Sequence, residues 1–443
     1  MMKRAALHSL GCKVNSYETE AMRQMLQDAG YEIVPFHEAA DLYVINTCSV
    51  TNIADHKSRQ MIHRARKQNP DAIVAAAGCY VQTSREQAER DESIDIILGN
   101  NRKQDLVTAV REFEERRAQV LAENRAGKEK QHDPVVHMSP DINRQGQAYE
   151  NLKVSHPAEH TRAFLKVQDG CNQFCSYCVI PYARGRVRSQ RPEDVVRETY
   201  ELAENGFQEI VLTGIHLSSY GADLGCTLLD LIREIHDIEG IRRIRLGSLE
   251  PGIITESFVR ELAGMKKVCP HFHLSLQSGS DAVLKRMNRK YTTEEYFDKC
   301  ELLRRYYEHP ALTTDIIVGF PGETQAEFAE TCEFVKRVSF YEIHVFKYSK
   351  RDGTAAARMD GQITEQVKTE RSKALLNLSA MLKEQFVSWY EGRQVEVLFE
   401  DSVLLNGRNF QEGFTPEYVK TGVFGDESLR NRIMMVEFFR FIV

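Results

Sequence analysis

Three cysteines fall within eight residues of this chain, at Cys171, Cys175 and Cys178, in the pattern C-x3-C-x2-C. A structural zinc site normally takes four protein ligands, whereas an iron–sulfur cluster held by three thiolates keeps one iron open. An open metal position is where a substrate or cofactor can bind. The spacing therefore predicts a catalytic 4Fe-4S cluster, and the alternative is a zinc knuckle completed by His156 or His160.

Three further cysteines each follow a predicted strand: Cys12 in SLGCKVN, Cys48 in INTCSVTN and Cys79 in AAGCYVQ. Loops at the carboxyl ends of parallel strands converge on one crevice, which is where open α/β sheets bind ligands. A single cysteine in such a place is more often a small core residue. Three cysteines in equivalent places predict a second cluster, again with one open iron.

Strands and helices alternate in two parts of the chain, and these elements must position the cysteines. The first part has the pattern of an open parallel α/β sheet. Its predicted strands are Ala5–Leu10, Leu42–Asn46, Ile73–Ala77 and Ile94–Leu98. From Arg162 onward, six strand–helix units predict a parallel barrel that stays incomplete, since eight units would close it. The predicted strands of this barrel are Ala163–Gln168, Glu209–Thr213, Arg243–Gly247, His271–Leu276, Thr313–Val318 and Glu342–Phe346.

The remaining segments are a polar linker and a short β-rich end. Residues from Glu115 to His160 lose periodicity, which predicts a linker between domains. After a long predicted helix, short β-like runs predict a small five-stranded barrel of the oligonucleotide-binding type. From Asn377 onward this end has seven Lys or Arg against ten Asp or Glu. It would therefore contact nucleic acid only through stacking side chains such as Phe414 and Tyr418.

Composition bounds the class of protein. With 443 residues, of which 42% are apolar, the chain should form two or three globular domains. No run approaches the ~18 apolar residues of a membrane helix, and the start MMKRAALHSLGCK does not resemble a signal peptide. Ten cysteines without an export signal indicate reduced thiols and metal ligands. We therefore expect a cytoplasmic protein with no membrane partner.

Two basic segments directly follow cysteine motifs, although the net charge of the chain is −6. They are HKSRQMIHRARKQ at 56–68 and YARGRVRSQR at 182–191, and neither contains an acidic residue. Such runs are usually solvated faces. If 56–68 is helical, His56, Arg59, His63 and Arg66 share one face.

Longer motifs around these residues resemble those of radical S-adenosylmethionine (SAM) methylthiotransferases over essentially the whole chain. The motifs are LGCKVNSYET, NTCSVTNIADHKSRQ, GCYVQ, VQDGCNQFCSYCVIPYARGR, LTGIHLSSYG, LQSGSDAVLKRMNRKYT and DIIVGFPGET. They are most similar to the branch that adds a methylthio group at C2 of N6-threonylcarbamoyladenosine beside the tRNA anticodon. The resemblance implies an N-terminal open parallel α/β domain, a central partial (βα)6 radical SAM barrel and a small C-terminal β-barrel (TRAM-like). The implied limits are 2–114 for the first domain, 115–156 for the linker, 157–375 for the radical SAM core and 376–443 for the TRAM-like domain.

The resemblance also implies roles for individual residues, two 4Fe-4S clusters and SAM. The auxiliary cluster would be held by Cys12, Cys48 and Cys79, and the SAM cluster by Cys171, Cys175 and Cys178. Residues at strand ends would contact SAM or the substrate: Thr213, Gly214, Glu250, Gln277, Gly319 and Glu323. The implied partners are the anticodon stem-loop of tRNA and an electron donor such as a flavodoxin or ferredoxin. The predicted RNA-binding residues are Arg59, Arg66, Arg186 and Arg188.

Several alternatives stay open at this point. Related enzymes act on isopentenyladenosine in tRNA or on a ribosomal protein side chain, and an iron–sulfur or zinc RNA-binding protein would need no catalysis. A second cluster could also only relay electrons. The chain departs from the family pattern in having Arg188, Ser189 and Gln190 where Arg-Ser-Arg is expected. Its C-terminal module has Pro416 and Glu417 before Tyr418, where relatives tend to have Asp-Asn. This departure and the acidity of the module argue against RNA contacts there.

Overall fold

The computed structural model describes residues 2–124, 133–139, 141–144, 146–154 and 161–440. His156 and His160, the candidate zinc ligands, lie outside these residues. Among the described residues, no helix is both long and apolar enough to cross a membrane.

Six parallel strands form an open sheet in the order β2-β1-β3-β4-β5-β6. They are β1 (Arg4–Ser9), β2 (Glu32–Ile33), β3 (Leu42–Thr47), β4 (Ile73–Gly78), β5 (Ile96–Leu98) and β6 (Val135–His137). The helices of this region are α1 (Lys13–Asp28), α2 (Asn52–Gln68), α3 (Cys79–Thr83), α4 (Arg85–Glu89) and α5 (Leu106–Asn124). Because β3 and β4 are covered on both faces, they are buried along their whole length, as their continuous apolar runs predict. The predicted α/β sheet is confirmed.

Part of the predicted linker belongs to this sheet. Helix α5 continues to Asn124, and β6 pairs in parallel with β5. Strand β6 is only three residues long, so it leaves no periodic pattern in the sequence. The predicted domain limits themselves stay a prediction.

An arc of six parallel strands, β7-β9-β10-β11-β12-β13, forms the central barrel. The strands of this region are β7 (Ala163–Asp169), β8 (Arg188–Ser189), β9 (Glu209–Gly214), β10 (Arg243–Leu246), β11 (His271–His273), β12 (Ala311–Val318) and β13 (Glu342–Lys347). Single bridges such as Leu249 to Leu274 join β10 to β11, and β8 adds an antiparallel edge to β7. Over the residues that the structure describes, no pairing closes β13 onto β7. The predicted partial barrel is confirmed.

The barrel helices begin where the sequence has capping residues. They are α6 (Ile180–Arg184), α7 (Pro192–Glu204), α8 (Leu228–His236), α9 (Glu256–Gly264), α10 (Asp281–Arg286), α11 (Thr293–Tyr306) and α12 (Gln325–Val338). Thr227, Thr292 and Thr324 precede α8, α11 and α12, and each forms a reciprocal capping box with an acidic residue three positions on. Short 3-10 helices lie at Lys103–Asp105, Leu217–Ser219, Pro251–Ile253 and Ala356–Arg358.

The C-terminal region is a long helix followed by an antiparallel sheet in the order β16-β15-β14-β17. Its elements are α13 (Glu365–Ser388), β14 (Gln394–Leu405), β15 (Arg408–Phe414), β16 (Lys420–Phe424) and β17 (Ile433–Glu437). Four strands are therefore present up to residue 440, where five were predicted.

The loop between β15 and β16 packs against the amino end of the barrel. Arg245 donates to the carbonyl of Pro416 at 2.7 Å, and the Tyr418 ring lies between the guanidinium groups of Arg162 and Arg245. Phe414 stacks on Tyr418 with ring centroids 4.5 Å apart. These two rings therefore take part in the contact between domains, and their stacking on bases stays a prediction.

Candidate functional site

The thiols of Cys12, Cys48 and Cys79 lie together at the carboxyl edge of the N-terminal sheet. The backbone of Gly11 has φ +102°, and a Cβ there would lie 2.7 Å from Cys48 Sγ. Gly78 has φ +96°, and its Cβ would lie 2.6 Å from Asn46 Oδ1. Only glycine fits both the left-handed turn and the close approach, which explains two of the Gly-Cys pairs.

Electrostatics show that these thiols are neighbours. Burial, together with the neighbouring Cys79 and Cys12 thiols, raises the pKa of Cys48 to about 12. Asn100 donates to Cys79 Sγ at 3.5 Å. Without a positively charged ligand, Cys48 is therefore a neutral thiol at physiological pH, and metal binding must displace its proton.

The second cysteine trio, Cys171, Cys175 and Cys178, occupies the loop between β7 and α6. Burial raises the pKa of Cys178 to about 12 and that of Cys171 to about 11, with the Cys175 thiol adding to both. Arg289 donates to Cys175 Sγ at 3.3 Å, and the amide of Gln173 donates to Cys171 Sγ at 3.5 Å. N–H donors at sulfur are among the contacts that tune iron–sulfur clusters.

The spacing of the thiols favours clusters over single ions. Zinc–sulfur bonds are about 2.3 Å long, so three thiolates on one zinc ion must lie close together. Within the described part of the chain, three ligand atoms lie within 4.8 Å of one another only at His273, Asp315 and His344. Both cysteine trios are wider than that, as the larger iron–sulfur cluster requires. The donor sets therefore fit 4Fe-4S clusters, and the assignment of the six ligands stays a prediction.

A buried ion network joins the two cysteine regions. Glu18 on α1 is fully buried, with Arg184 at 2.9 Å, Lys166 at 2.7 Å and Lys103 at 3.0 Å. Lys166 and Arg184 also contact Asp169 at the end of β7. Burial opposes ionisation of Glu18, but the Arg184, Lys103 and Lys166 cations outweigh it and hold the pKa well below its ordinary value. The network therefore joins charged side chains of both domains between their cysteine loops.

Two asparagines complete the link. Asn15, three residues after Cys12, accepts from Arg184 at 2.7 Å and donates to the carbonyl of Thr47 at 2.9 Å. Asn100 donates to the carbonyl of Ala183 at 2.9 Å as well as to Cys79. The loops that carry the two trios are thus connected through hydrogen bonds.

A cavity of about 200 Å³ lies where the loops of both trios meet the barrel. Val50 and Thr51, from the loop after Cys48, form one side, and Cys178 lies on another. Its barrel lining includes Gln277, Asp315, Ile317 and Phe346. A cavity of ~150 Å³ can hold a benzene ring, so this space is suited to a planar ring of similar size.

The structure brings four of the predicted SAM-contacting residues to this end of the barrel. Thr213 and Gly214 end β9, and a Cβ on Gly214 would lie 2.9 Å from Gln168. Glu250 pairs with Arg289 at 2.7 Å, which in turn donates to Cys175, so this carboxylate lies beside the second trio. Gln277 lines the cavity. Their roles toward SAM stay predictions.

Gly319 and Glu323 lie in the turn after β12, where they pack against α13. The Glu323 carboxylate is 3% exposed and accepts from the Gly319 amide and from Arg371 on α13, both at 2.6 Å. A Cβ on Gly319 would lie 2.3 Å from Lys368 of the same helix. The oxygens of Glu323 therefore secure the turn to α13, and the contact of these two residues with SAM stays a prediction.

The predicted RNA-binding arginines behave differently from one another. Arg188 is only 2% exposed and lies 3.6 Å from Asp169. Arg66 is paired with Asp95 at 2.5 Å and donates to the carbonyl groups of Pro70 and Ala72. Both side chains are engaged with carboxylates of the fold, and their role toward RNA stays a prediction.

Arg59 and Arg186 are partly exposed, and each guanidinium lies over an aromatic ring, of Tyr80 and Phe174 respectively. The exposed basic side chains of α2 are instead Lys57, Arg64 and Lys67.

Three arginines at the site were missed. Arg184 joins the domains, Arg289 contacts Cys175, and Arg351 joins the loop after β13 to Asn52 at 2.7 Å and Asp55 at 2.6 Å. Arg184 lies in the motif VQDGCNQFCSYCVIPYARGR and Arg289 in LQSGSDAVLKRMNRKYT, so these motifs could have indicated both residues. Their carboxylate partners are distant in sequence and carry no local signal.

Comparisons with known proteins show what this chain is similar to. The model of the Radical SAM superfamily matches residues 165–335, and that of the uncharacterized protein family UPF0004 matches residues 4–99. The threonylcarbamoyladenosine tRNA methylthiotransferase MtaB of Bacillus subtilis (strain 168) is 42% identical over 98% of this chain and 94% of its own length. MtaB of Aquifex aeolicus (strain VF5) is 38% identical over 91% of this chain and 94% of its own length. The tRNA-2-methylthio-N(6)-dimethylallyladenosine synthase of Moorella thermoacetica is 36% identical over 97% of this chain and 94% of its own length.

Among solved structures, the radical SAM methyltransferase TsrM from Kitasatospora setae has a TM-score of 0.52. The match covers 78% of this chain and 75% of TsrM at 16% identity, so it shows the fold alone. Radical SAM enzymes use a 4Fe-4S cluster and SAM, and methylthiotransferases carry a second cluster. The identity of the full-length relatives confirms the predicted resemblance: this chain belongs to the radical SAM methylthiotransferase family.

Proposed function

We propose that this enzyme adds a methylthio group at C2 of N6-threonylcarbamoyladenosine beside the anticodon of tRNA. One observation carries the proposal: the loop after Cys48 and the residue Cys178 line the same cavity, at the mouth of the barrel. The relatives of highest identity above are named for this substrate, which supports the choice of base. A tRNA substrate also supports the predicted cytoplasmic location.

The reaction explains why two thiol trios are needed. C2 of adenine carries no leaving group, and its hydrogen is not acidic enough for a positioned base. When bound, the two clusters and SAM supply the radical, sulfur and methyl chemistry that side chains cannot. The proposed electron donor is a flavodoxin or ferredoxin.

The protein's own groups position the reactants and exclude water. Arg289 fixes the Glu250 carboxylate beside Cys175, and the Glu18 network fixes the distance between the two cysteine regions. Val179, which is buried, and Tyr177 and Phe346 give the cavity largely apolar walls. Such walls favour a stacked base over bulk water.

The test is anaerobic turnover of the reconstituted enzyme on two tRNAs, one with threonylcarbamoyladenosine and one with isopentenyladenosine. Mass spectrometry of the digested nucleosides should show a methylthio product from the first tRNA. The Cys48→Ala variant should give none, while Cys269→Ala, which removes a buried thiol outside both trios, should retain activity.

Product only from isopentenyladenosine would replace the proposed substrate with the alternative one. Absence of product from either tRNA, with both clusters present, would favour the ribosomal protein side chain or a non-catalytic RNA-binding role. Radical formation from SAM without sulfur transfer would favour a second cluster that relays electrons.

A further inference from the structure

The barrel interior contains a compact group of metal-ligating side chains that the proposed reaction does not use. His273, Asp315 and His344 place three ligand atoms within 4.8 Å of one another. They come from three adjacent strands, β11, β12 and β13. Asp315 and His344 are direct partners in the parallel ladder, and His273 is the partner of Thr313. The strand register itself therefore brings the three side chains together.

The His273 ring is held in a ligand-like orientation. Its Nδ1 lies 3.0 Å from the hydroxyl of Thr313, which directs Nε2 toward Asp315. This Nε2 atom is buried, and among the described residues it has no hydrogen-bond partner. Its distance to Asp315 Oδ2 is 3.4 Å, longer than the 2.7–2.9 Å typical of a charge-assisted hydrogen bond. A histidine ligand in a protein normally has its second nitrogen fixed by such a neighbour.

His344 completes the group from the next strand. Its ring is nearly parallel to that of His273, with an interplanar angle of 22° and centroids 5.8 Å apart. The side chain of His344 is exposed, and that of Asp315 is 30% exposed. An ion could therefore reach the three ligand atoms from solvent without rearrangement of the barrel.

We propose that His273, Asp315 and His344 bind one divalent transition-metal ion of the zinc or ferrous class. Two imidazoles and one carboxylate are donors that suit such borderline cations better than calcium or magnesium. Three protein ligands leave coordination positions open, which is the arrangement of ligand-binding sites and not of closed structural sites.

One of the three side chains reaches the cavity beside the cysteine regions. Asp315 lines that cavity together with Gln277 and Ile317. An ion here takes oxygen ligands, either water or a carboxylate and hydroxyl such as those of a threonyl group. This last role rests on the proposed function, whereas metal binding itself does not.

The experiment uses the full chain with both iron–sulfur clusters reconstituted, so that the cluster thiols are occupied. The protein is dialysed anaerobically against zinc, and zinc and iron per chain are measured by mass spectrometry. Wild type should hold one zinc ion that is absent from His273→Ala and His344→Ala. The control His63→Ala, a surface histidine paired with Asp91, should keep it. Thr313→Val should weaken zinc affinity about 10- to 100-fold by freeing the ring.

The iron content reports on folding and on the clusters independently of zinc. Because His344 is exposed, His344→Ala should keep the iron content of wild type. Equal zinc in wild type and His344→Ala would overturn the proposal, because His344 would then not be a ligand. No tRNA enters this experiment, so its failure leaves the methylthiolation proposal unaffected.

Discussion

Replacement of Glu18 by glutamine tests the ion network between the two cysteine regions. The carboxylate is fully buried against Arg184, Lys166 and Lys103 at 2.7–3.0 Å. In the variant, one oxygen becomes an NH2 donor that faces a cation, and three buried cations lose their common counter-ion. Removing one partner of a buried ion pair typically costs about 3–5 kcal/mol. This is a large part of the ~5–15 kcal/mol that stabilises a typical domain.

The assay is urea unfolding of the apoprotein at neutral pH, with the iron content of the reconstituted protein as a second readout. Glu18→Gln should lower the apparent free energy of unfolding by about 3–5 kcal/mol. The control is Glu89→Gln, which removes a partly exposed surface carboxylate paired with Arg85 and should leave the unfolding midpoint nearly unchanged. The double variant Glu18→Gln/Lys103→Met removes one of the unpaired cations and should regain part of the loss.

The pH dependence supplies an independent check. The folded-state pKa of Glu18 is depressed, so its stabilisation is present above the ordinary carboxylate pKa and is lost as pH falls through the folded value. Glu18→Gln should lack this loss in acid. A variant that unfolds like the Glu89→Gln control at every pH would refute the view that the network holds the domains together.

Three other perturbations follow from individual contacts. Burial raises the pKa of Glu198 to about 7, so this group's stabilisation is present near pH 4.5 and falls by about 3 kcal/mol as pH rises through 7. Glu198→Gln should flatten the pH profile of unfolding in that range, and an unchanged slope would contradict the assignment. Gly11→Ala should block iron loading of the first trio only, because its Cβ would meet Cys48 Sγ, whereas Gly30→Ala, with a similar φ and open space, should load normally. Charge reversal at three exposed cations of α2 should weaken tRNA binding. It should also reduce the slope of log affinity against log salt concentration by roughly two to three, whereas Lys373→Glu on α13 should leave affinity and slope unchanged. These cations are Lys57, Arg64 and Lys67. Equal affinity and slope for the triple variant would exclude α2 as an RNA-binding surface.

Local chemistry explains what could be predicted from the sequence. The C-x3-C-x2-C spacing and the three Gly-Cys or Thr-Cys strand ends are short-range patterns, and the barrel strands alternate with amphipathic helices along the chain. Cluster regions and the partial barrel were therefore predictable from neighbouring residues alone.

Charge partners explain what could not be predicted. Arg66 and Arg188 look like free cations in basic segments, yet Asp95 and Asp169 neutralise them in the fold. Glu18 is 166 residues from Arg184, so no window of sequence shows that the two form one buried pair. The group formed by His273 and its two neighbours likewise exists only through strand register.

The central claim is that two separate cysteine trios each hold a cluster beside one cavity, and iron and sulfide quantitation tests it most directly. Wild type is compared with the Cys12/Cys48/Cys79 triple alanine variant after anaerobic reconstitution. The Cys269/Cys300 double alanine variant, which removes buried thiols outside both trios, is the control. About eight irons per chain in wild type and control, and about four in the triple variant, are expected for two clusters of the 4Fe-4S kind. About four irons in all three proteins would contradict the account.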